Sequence, residues 1–224
     1  MKYRVSELKE KFSLLVGDTA KDMPDKFFIE ALNGAIGQLP LVPKLSKIFS
    51  KHYKFNIDAN NHYRWLLNSD FRRIIDIPMI NFYKNTGCQP TKIGVCPKDN
   101  VAFYDKNGLI ELNKAGLPCQ YTIEQEDDGI YLVFDKPCDT PVIVDYIAYG
   151  FLKRVTSMDD KIEISAIAEP LIMAALKDAY WQELDDMSFA SNISQYLDNK
   201  LVPEAVNALH RRFGSDEVNI IGEK

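Results

Sequence analysis

Hydrophobic positions in this chain recur at helical spacing toward both ends and at a spacing of two through the middle, so the pattern predicts helices, then strands, then helices. Val5, Leu8, Phe12, Leu15 and Val16 form one helical stripe, and Gly17-Asp18 ends it as a C-terminal glycine should. A second helix opens at Asp22 and Pro24, because proline near the first helical position gives up no needed N–H. Its stripe is Phe28, Leu32, Ala35, Ile36 and Leu39, with Gly34 and Gly37 softening its end. Residues 40–50, opened by Pro40 and Pro43, read as either a short helix or a loop.

From about Tyr53 to Leu152 the period becomes two. Tyr53, Phe55 and Ile57 alternate with polar residues, as do Tyr121 and Ile123 with Gln120, Thr122 and Glu124. Asn107-Gly108 is a strong type I′ turn signal, which predicts a hairpin pairing Val101 to Lys106 with Leu109 to Leu112. Asp128-Gly129 predicts another, joining Tyr121 to Glu126 with Ile130 to Phe134. Pro141 to Leu152 reads as a long strand with Val142, Val144 and Tyr146 on one face and Ile143, Ile147 and Tyr149 on the other; apolar on both faces, it should be central.

The stretch from Lys161 to Phe213 reads as two helices. The first, capped by Ser165 with Pro170 early enough to do little damage, carries the unbroken run Leu171-Ile172-Met173-Ala174-Ala175-Leu176, extended by Ala179, Tyr180 and Trp181. At 100° per residue such a run is apolar almost all round and must be covered all round. Two coverings serve: the helix is the centre of an intramolecular bundle, or a second copy of the chain completes its cover. The second covering makes Leu171, Met173, Leu176, Tyr180 and Trp181 candidate subunit-interface residues. The next apolar set, Phe189, Ile193, Tyr196 and Leu197, is interrupted by Pro203, after which Ala205, Val206, Leu209 and Phe213 continue to Gly214. His210, Arg211 and Arg212 occupy the last turn, where cations complement the helix dipole. These elements make an α+β chain: a helical bundle from residues 1–52 and 153–224, with an antiparallel β-rich module, 53–152, inserted.

Composition changes this picture mainly by exclusion. The 224 residues suffice for one large domain or a core with an inserted module, and 46% hydrophobic with 26% charged residues is ordinary for a globular chain. A net charge of −5 argues against affinity earned by neutralising phosphates. No stretch matches a membrane span, and the alternating charges of Lys2, Arg4, Glu7, Lys9, Glu10 and Lys11 are unlike a secretory signal, so a cytoplasmic site of synthesis is expected.

Candidate chemistry is sparse. Cys88, Cys96, Cys119 and Cys138 lack the close pairing of metal ligands, and His52, His62 and His210 are scattered, so no metal or cofactor is expected. The chain has no P-loop, no G-x-G-x-x-G, no G-x-S-x-G and no kinase set, and no enzymatic activity is expected. The acidic groups Glu124, Glu126, Asp127, Asp128 and Glu183, Asp185, Asp186 lie in turns or at helix ends, where they read as solvated surface. His62, Tyr63 and Trp65 could form a sugar-stacking platform, which keeps a carbohydrate- or ligand-binding module as the alternative function.

One constellation goes further. Asp145-Tyr146-Ile147-Ala148-Tyr149 leads into Ile164-Ser165 and Glu169-Pro170, then a helix with Ala174, Ala175, Ala179 and Tyr180. Asp185-Asp186, Phe189-Ala190, Tyr196, Ala205, Ala208 and Arg211-Arg212 follow, while Ala31-Leu32-Asn33 through Ile36-Gly37 stand near the N-terminus. This layout resembles the head-to-tail adaptor, or connector, proteins of tailed phages, in particular of short-tailed and crAss-like phages; Pro203 departs from the family's usual continuous last helix. The resemblance implies a structural virion protein of the neck, assembled in the host cytoplasm as a ring of about a dozen copies with heterologous contacts between neighbours. It further implies that the ring meets the portal protein and other neck or tail proteins, with DNA only as passing cargo. The C-terminal tail, residues 214–224, would then dock on the portal, making Arg211, Arg212, Phe213, Val218, Ile220 and Ile221 candidate docking residues. The negative net charge suits a conduit that repels genome phosphates.

Overall fold

A computed structural model describes residues 2–17, 23–58, 63–67, 70–84, 91–94, 96–97, 103 and 115–213. Helices and mainly antiparallel sheets make a mixed chain compatible with an α+β class. It divides into two compact units, Met1–Phe49 with Gly150–Lys224, and Ser50–Tyr149.

The helical unit is tied together where the N-terminal strand meets the segment that follows the β unit. Strand β1 (Lys2–Arg4) pairs antiparallel with β10 (Lys161–Glu163), with Tyr3 opposite Ile162. Lys161 therefore starts a strand, not the first closing helix, because Ile162 alone supplies its buried face. Helix α1 (Val5–Val16) follows, its entry fixed by the Glu7 carboxylate accepting the Arg4 N–H at 2.8 Å, and it ends at Gly17, whose φ of 95° disfavours any side chain. Val5, Leu8 and Phe12 are buried as expected. Leu15 is 48% exposed and Leu14 83%, because the cover over this face ends before the last turn does.

Helix α2 (Asp25–Gln38) buries Phe28, Leu32, Ala35 and Ile36, and Leu39 just beyond it. Pro24 stands at its N-cap, one place earlier than a first helical residue, while Asp18 and Asp22 lie outside the described residues. Residues 39–45 settle into two single 3₁₀ turns, Leu39–Leu41 and Pro43–Leu45, each with proline in its first two positions. Asn33 leaves the α2 surface to bond both backbone groups of Val155: it donates to the carbonyl at 2.8 Å and accepts from the N–H at 2.9 Å.

Helix α3 (Ala168–Glu183) begins where the Ser165 hydroxyl accepts the Ala168 N–H at 3.1 Å. Its first turn is held by Glu169, which accepts from the Tyr3 hydroxyl at 2.9 Å and pairs with Lys11. It ends in a Schellman arrangement: the Asp186 N–H reaches the Trp181 carbonyl at 2.9 Å, the Asp185 N–H reaches that of Gln182 at 3.1 Å, and Asp185 takes the left-handed conformation at φ 58°. Helix α4 (Met187–Tyr196) passes through a π segment, Leu197–Leu201, into α5 (Val202–Phe213). Pro203 explains the π turn. Having no N–H to give and a ring that crowds the preceding turn, it widens the helix there instead of breaking it.

Among the described residues the β unit has two four-stranded sheets. In one, β2 (Lys51–Ile57), β9 (Val142–Leu152), β4 (Phe71–Lys84) and β5 (Thr91–Gly94) are neighbours in that order, which makes β9 an interior strand. Val142, Val144, Tyr146 and Ala148 on one of its faces are buried, and Tyr53 stacks on Tyr146 with ring centroids 5.1 Å apart. The other sheet runs β3 (Arg64–Leu66), β8 (Gly129–Phe134), β7 (Gln120–Glu126), β6 (Cys96–Pro97), with β6 the one parallel partner among the described pairs. Phe82 of the first sheet meets Phe134 of the second at 5.0 Å, and the Tyr121 hydroxyl donates to the Ile77 carbonyl at 2.7 Å. Thr122, expected to face outward, is buried beside Tyr121.

The hairpin predicted at Asp128-Gly129 forms, with its turn one residue earlier. Glu126 pairs with Gly129 across Asp127-Asp128, and none of these residues has positive φ. A Cβ on Gly129 would stand 2.4 Å from the tip of the exposed Leu66 side chain on the neighbouring strand, which would have to turn aside. The hairpin predicted at Asn107-Gly108, between Val101 to Lys106 and Leu109 to Leu112, lies outside the described residues.

Candidate functional site

Helix α3 was read either as the centre of an intramolecular bundle or as a face completed by a second copy, and within a single chain most of its apolar surface is buried. Leu171, Met173, Leu176 and Tyr180 are each at most 6% exposed within a single chain, and no residue from Leu171 to Trp181 is classed as exposed. Helices α1, α2 and α4 all contact it; Phe12 meets Tyr180 edge-on at 5.9 Å, and Trp181 stacks on Phe189 of α4 at 4.9 Å. The physical reason is that three neighbouring helices pack on it, and together they cover most of what an all-round apolar stripe would demand of a second subunit. The covered-helix alternative is the one the geometry favours.

The apolar surface left over lies elsewhere. Around the elbow between α3 and α4, Leu184, Met187 and Phe189 are 53%, 64% and 52% exposed, and Tyr196 further along is 48% exposed. Asp186 caps α4 by accepting the Phe189 N–H at 3.4 Å, which turns that aromatic ring outward over Trp181. Glu183 and Asp185 flank the same elbow, exposed, with no ion pair to any described residue. From sequence Phe189 was grouped with Ile193, Tyr196 and Leu197 as one apolar set. The signal that could have found this surface is the loss of helical period at Leu184-Asp185-Asp186, which puts the apolar neighbours of a turn where no stripe can bury them.

At the far end of α5, Arg211 and Arg212 are exposed. The Arg211 Nε donates to the Asn207 carbonyl at 3.4 Å, and Arg212 lies 5.4 Å from the Phe213 ring centroid. Phe213 is half-buried, with the Lys47 ammonium 5.2 Å over its ring. Val218, Ile220 and Ile221 lie outside the described residues.

A groove of about 400 Å³ opens between α2, α3 and the π segment. Small residues create it: Ala31, Gly34 and Ala35 on one wall, Ala175 and Ala179 on the other. Asp178 sits in it, one carboxylate oxygen accepting from Gln182 at 2.8 Å and the other buried without a partner.

Other candidate chemistry stays apart. Among the described residues no three His, Cys, Asp or Glu side chains gather as metal ligands do. Burial, reinforced by Asp139 and Asp135, pushes the Cys138 thiol up to about 11, so it carries little thiolate; Cys119 is exposed, and Cys88 lies outside the described residues. His52 pairs with Asp145 on the surface of the β unit. Trp65 packs on Phe134 at 5.9 Å, and His62 lies outside the described residues, so the sugar-stacking platform is not assembled among those described. The acidic hairpin is structured rather than merely solvated: Arg64 pairs with Glu124 at 3.0 Å and with Glu126 while lying 3.5 Å over the Tyr131 ring, whose hydroxyl donates to Asp128 at 2.6 Å. No described helix is long and apolar enough to cross a membrane. No known family model and no curated protein matches the chain.

Proposed function

We propose that this chain is a structural virion protein, a head-to-tail adaptor that assembles with copies of itself into a ring between portal and tail and lines the path of the DNA. Helices α1 to α5 act in this reading as a bundle that forms the body of each subunit, with the β unit inserted between its halves. The observation that carries the reading is the exposed apolar cluster Leu184, Met187 and Phe189 on a unit whose central helix is already closed, since a surface of that kind is what association would bury. The resemblance of the terminal segments to phage adaptors supports the same conclusion, and the net charge of −5 suits a wall that must not trap passing phosphates. No step of chemistry is required of the protein.

The test is to image the purified protein mixed with the portal of the same phage, and to measure its mass in solution alone. Rings of about a dozen copies seated on portal are expected. A chain that stays monomeric and leaves portal unbound would overturn the proposal.

A further inference from the structure

The helical run from Met187 to Phe213 carries unlike surfaces at its two ends. At its start, Leu184, Met187 and Phe189 are more than half exposed, and the Glu183 and Asp185 carboxylates beside them have no cationic partner among the described residues. At its end, Arg211 and Arg212 are exposed and paired with no described carboxylate. About 40 Å of helix separates the two ends along the run, at 1.5 Å per residue. The helix dipole accounts for the bases in the last turn of α5, but not for Glu183, which stands at the C-terminal end of α3. Nor does it account for large apolar side chains left in water among the acids.

We infer that the elbow between α3 and α4 of one copy receives the last turn of α5 from a second copy. This rests on the self-assembly reading above and names its contact. The chemistry of the elbow is that of an arginine receptor. One face of Phe189 is stacked on Trp181 at 4.9 Å with the rings 23° apart while the side chain stays 52% exposed, which leaves the other face for a guanidinium, and the exposed Glu183 and Asp185 belong to the same elbow. The chain already uses this combination once within itself, where Arg64 lies over Tyr131 and pairs with Glu124 and Glu126. The aliphatic stems of Arg211 and Arg212 would cover Leu184 and Met187 while their charged heads meet Glu183 and Asp185. Because the two surfaces differ, the contact is heterologous. Each copy offers one of each, so it repeats from subunit to subunit and closes into a ring when the rotation allows.

A charge swap tests this, read by analytical ultracentrifugation at low ionic strength, where such pairs are least screened. One variant carries Glu183→Lys and Asp185→Lys; the other carries Arg211→Glu and Arg212→Glu; circular dichroism checks that both fold. Each alone should associate at least tenfold more weakly than the wild type. Mixed in equal amounts they should co-assemble, since every contact in an alternating assembly then joins opposite charges. If Asp185→Lys disturbs the elbow, Glu183→Arg alone, on regular helix, makes the same comparison. Variants that associate as well as the wild type, or that weaken but are not rescued by mixing, overturn the contact while leaving ring assembly intact. A wild-type chain that is monomeric with and without portal overturns both.

Discussion

Asn33 does the work of a short piece of sheet. Its amide gives and takes one hydrogen bond with the backbone of Val155, a residue that is itself buried, so removing the side chain orphans an N–H and a carbonyl at once. Asn33→Ala is expected to lower stability by about 2 kcal/mol in urea unfolding, from two unsatisfied groups at about 1 kcal/mol each. Asn33→Asp should not restore it, because a carboxylate can accept from the Val155 N–H but cannot donate to the carbonyl. Single residues also misled. Gly129 looked like a turn glycine, yet its φ is not positive and a Cβ there would meet the Leu66 side chain on another strand, a neighbour of which the pattern along one strand holds no record. Asp185 was placed at a turn or helix end from sequence, but its left-handed conformation, usually given to glycine, was not foreseen.

At the scale of elements, the stripes of α1 and α2, the interior position of β9 and the β7–β8 hairpin were legible, because each rests on a repeat visible within one segment. The strand at Lys161–Glu163 was not: three residues with one buried side chain carry no period, and β1 alone decides their conformation. The groove beside α3 follows from small residues on α2 and α3, and it makes one helix position cheap to change. An added Cβ on Gly34 meets nothing within 4 Å, and its backbone needs no positive φ. Gly34→Ala should therefore raise stability by about 0.5–1 kcal/mol, mainly by restricting the unfolded chain, as a shift in the urea midpoint would register. A loss instead would mean that the groove narrows in solution.

For the whole molecule the question is what the chain assembles with. In the adaptor reading the elbow and the end of α5 serve neighbouring copies, while residues 214–224, with Val218, Ile220 and Ile221 among polar residues, serve the portal. Deleting everything after Gly214 is expected to abolish co-sedimentation with portal and to change unfolding stability by no more than about 0.5 kcal/mol. Retained portal binding would move that role to another surface. The candidate interface was legible only in part. Sequence singled out Arg211 and Arg212 as portal-docking residues, and placed the subunit interface on Leu171, Met173, Leu176, Tyr180 and Trp181, which the fold largely encloses.

Local periodicity was enough to order the elements, mark β9 as interior and exclude a long apolar span, since helix and strand repeats depend on near neighbours in the chain. Which apolar side chains remain in water depends on distant ones. Helices α1, α2 and α4 pack on α3 and bury most of it, and the turn at Leu184-Asp185-Asp186 then leaves Met187 and Phe189 outside, a division of surface that arises only when the helices pack.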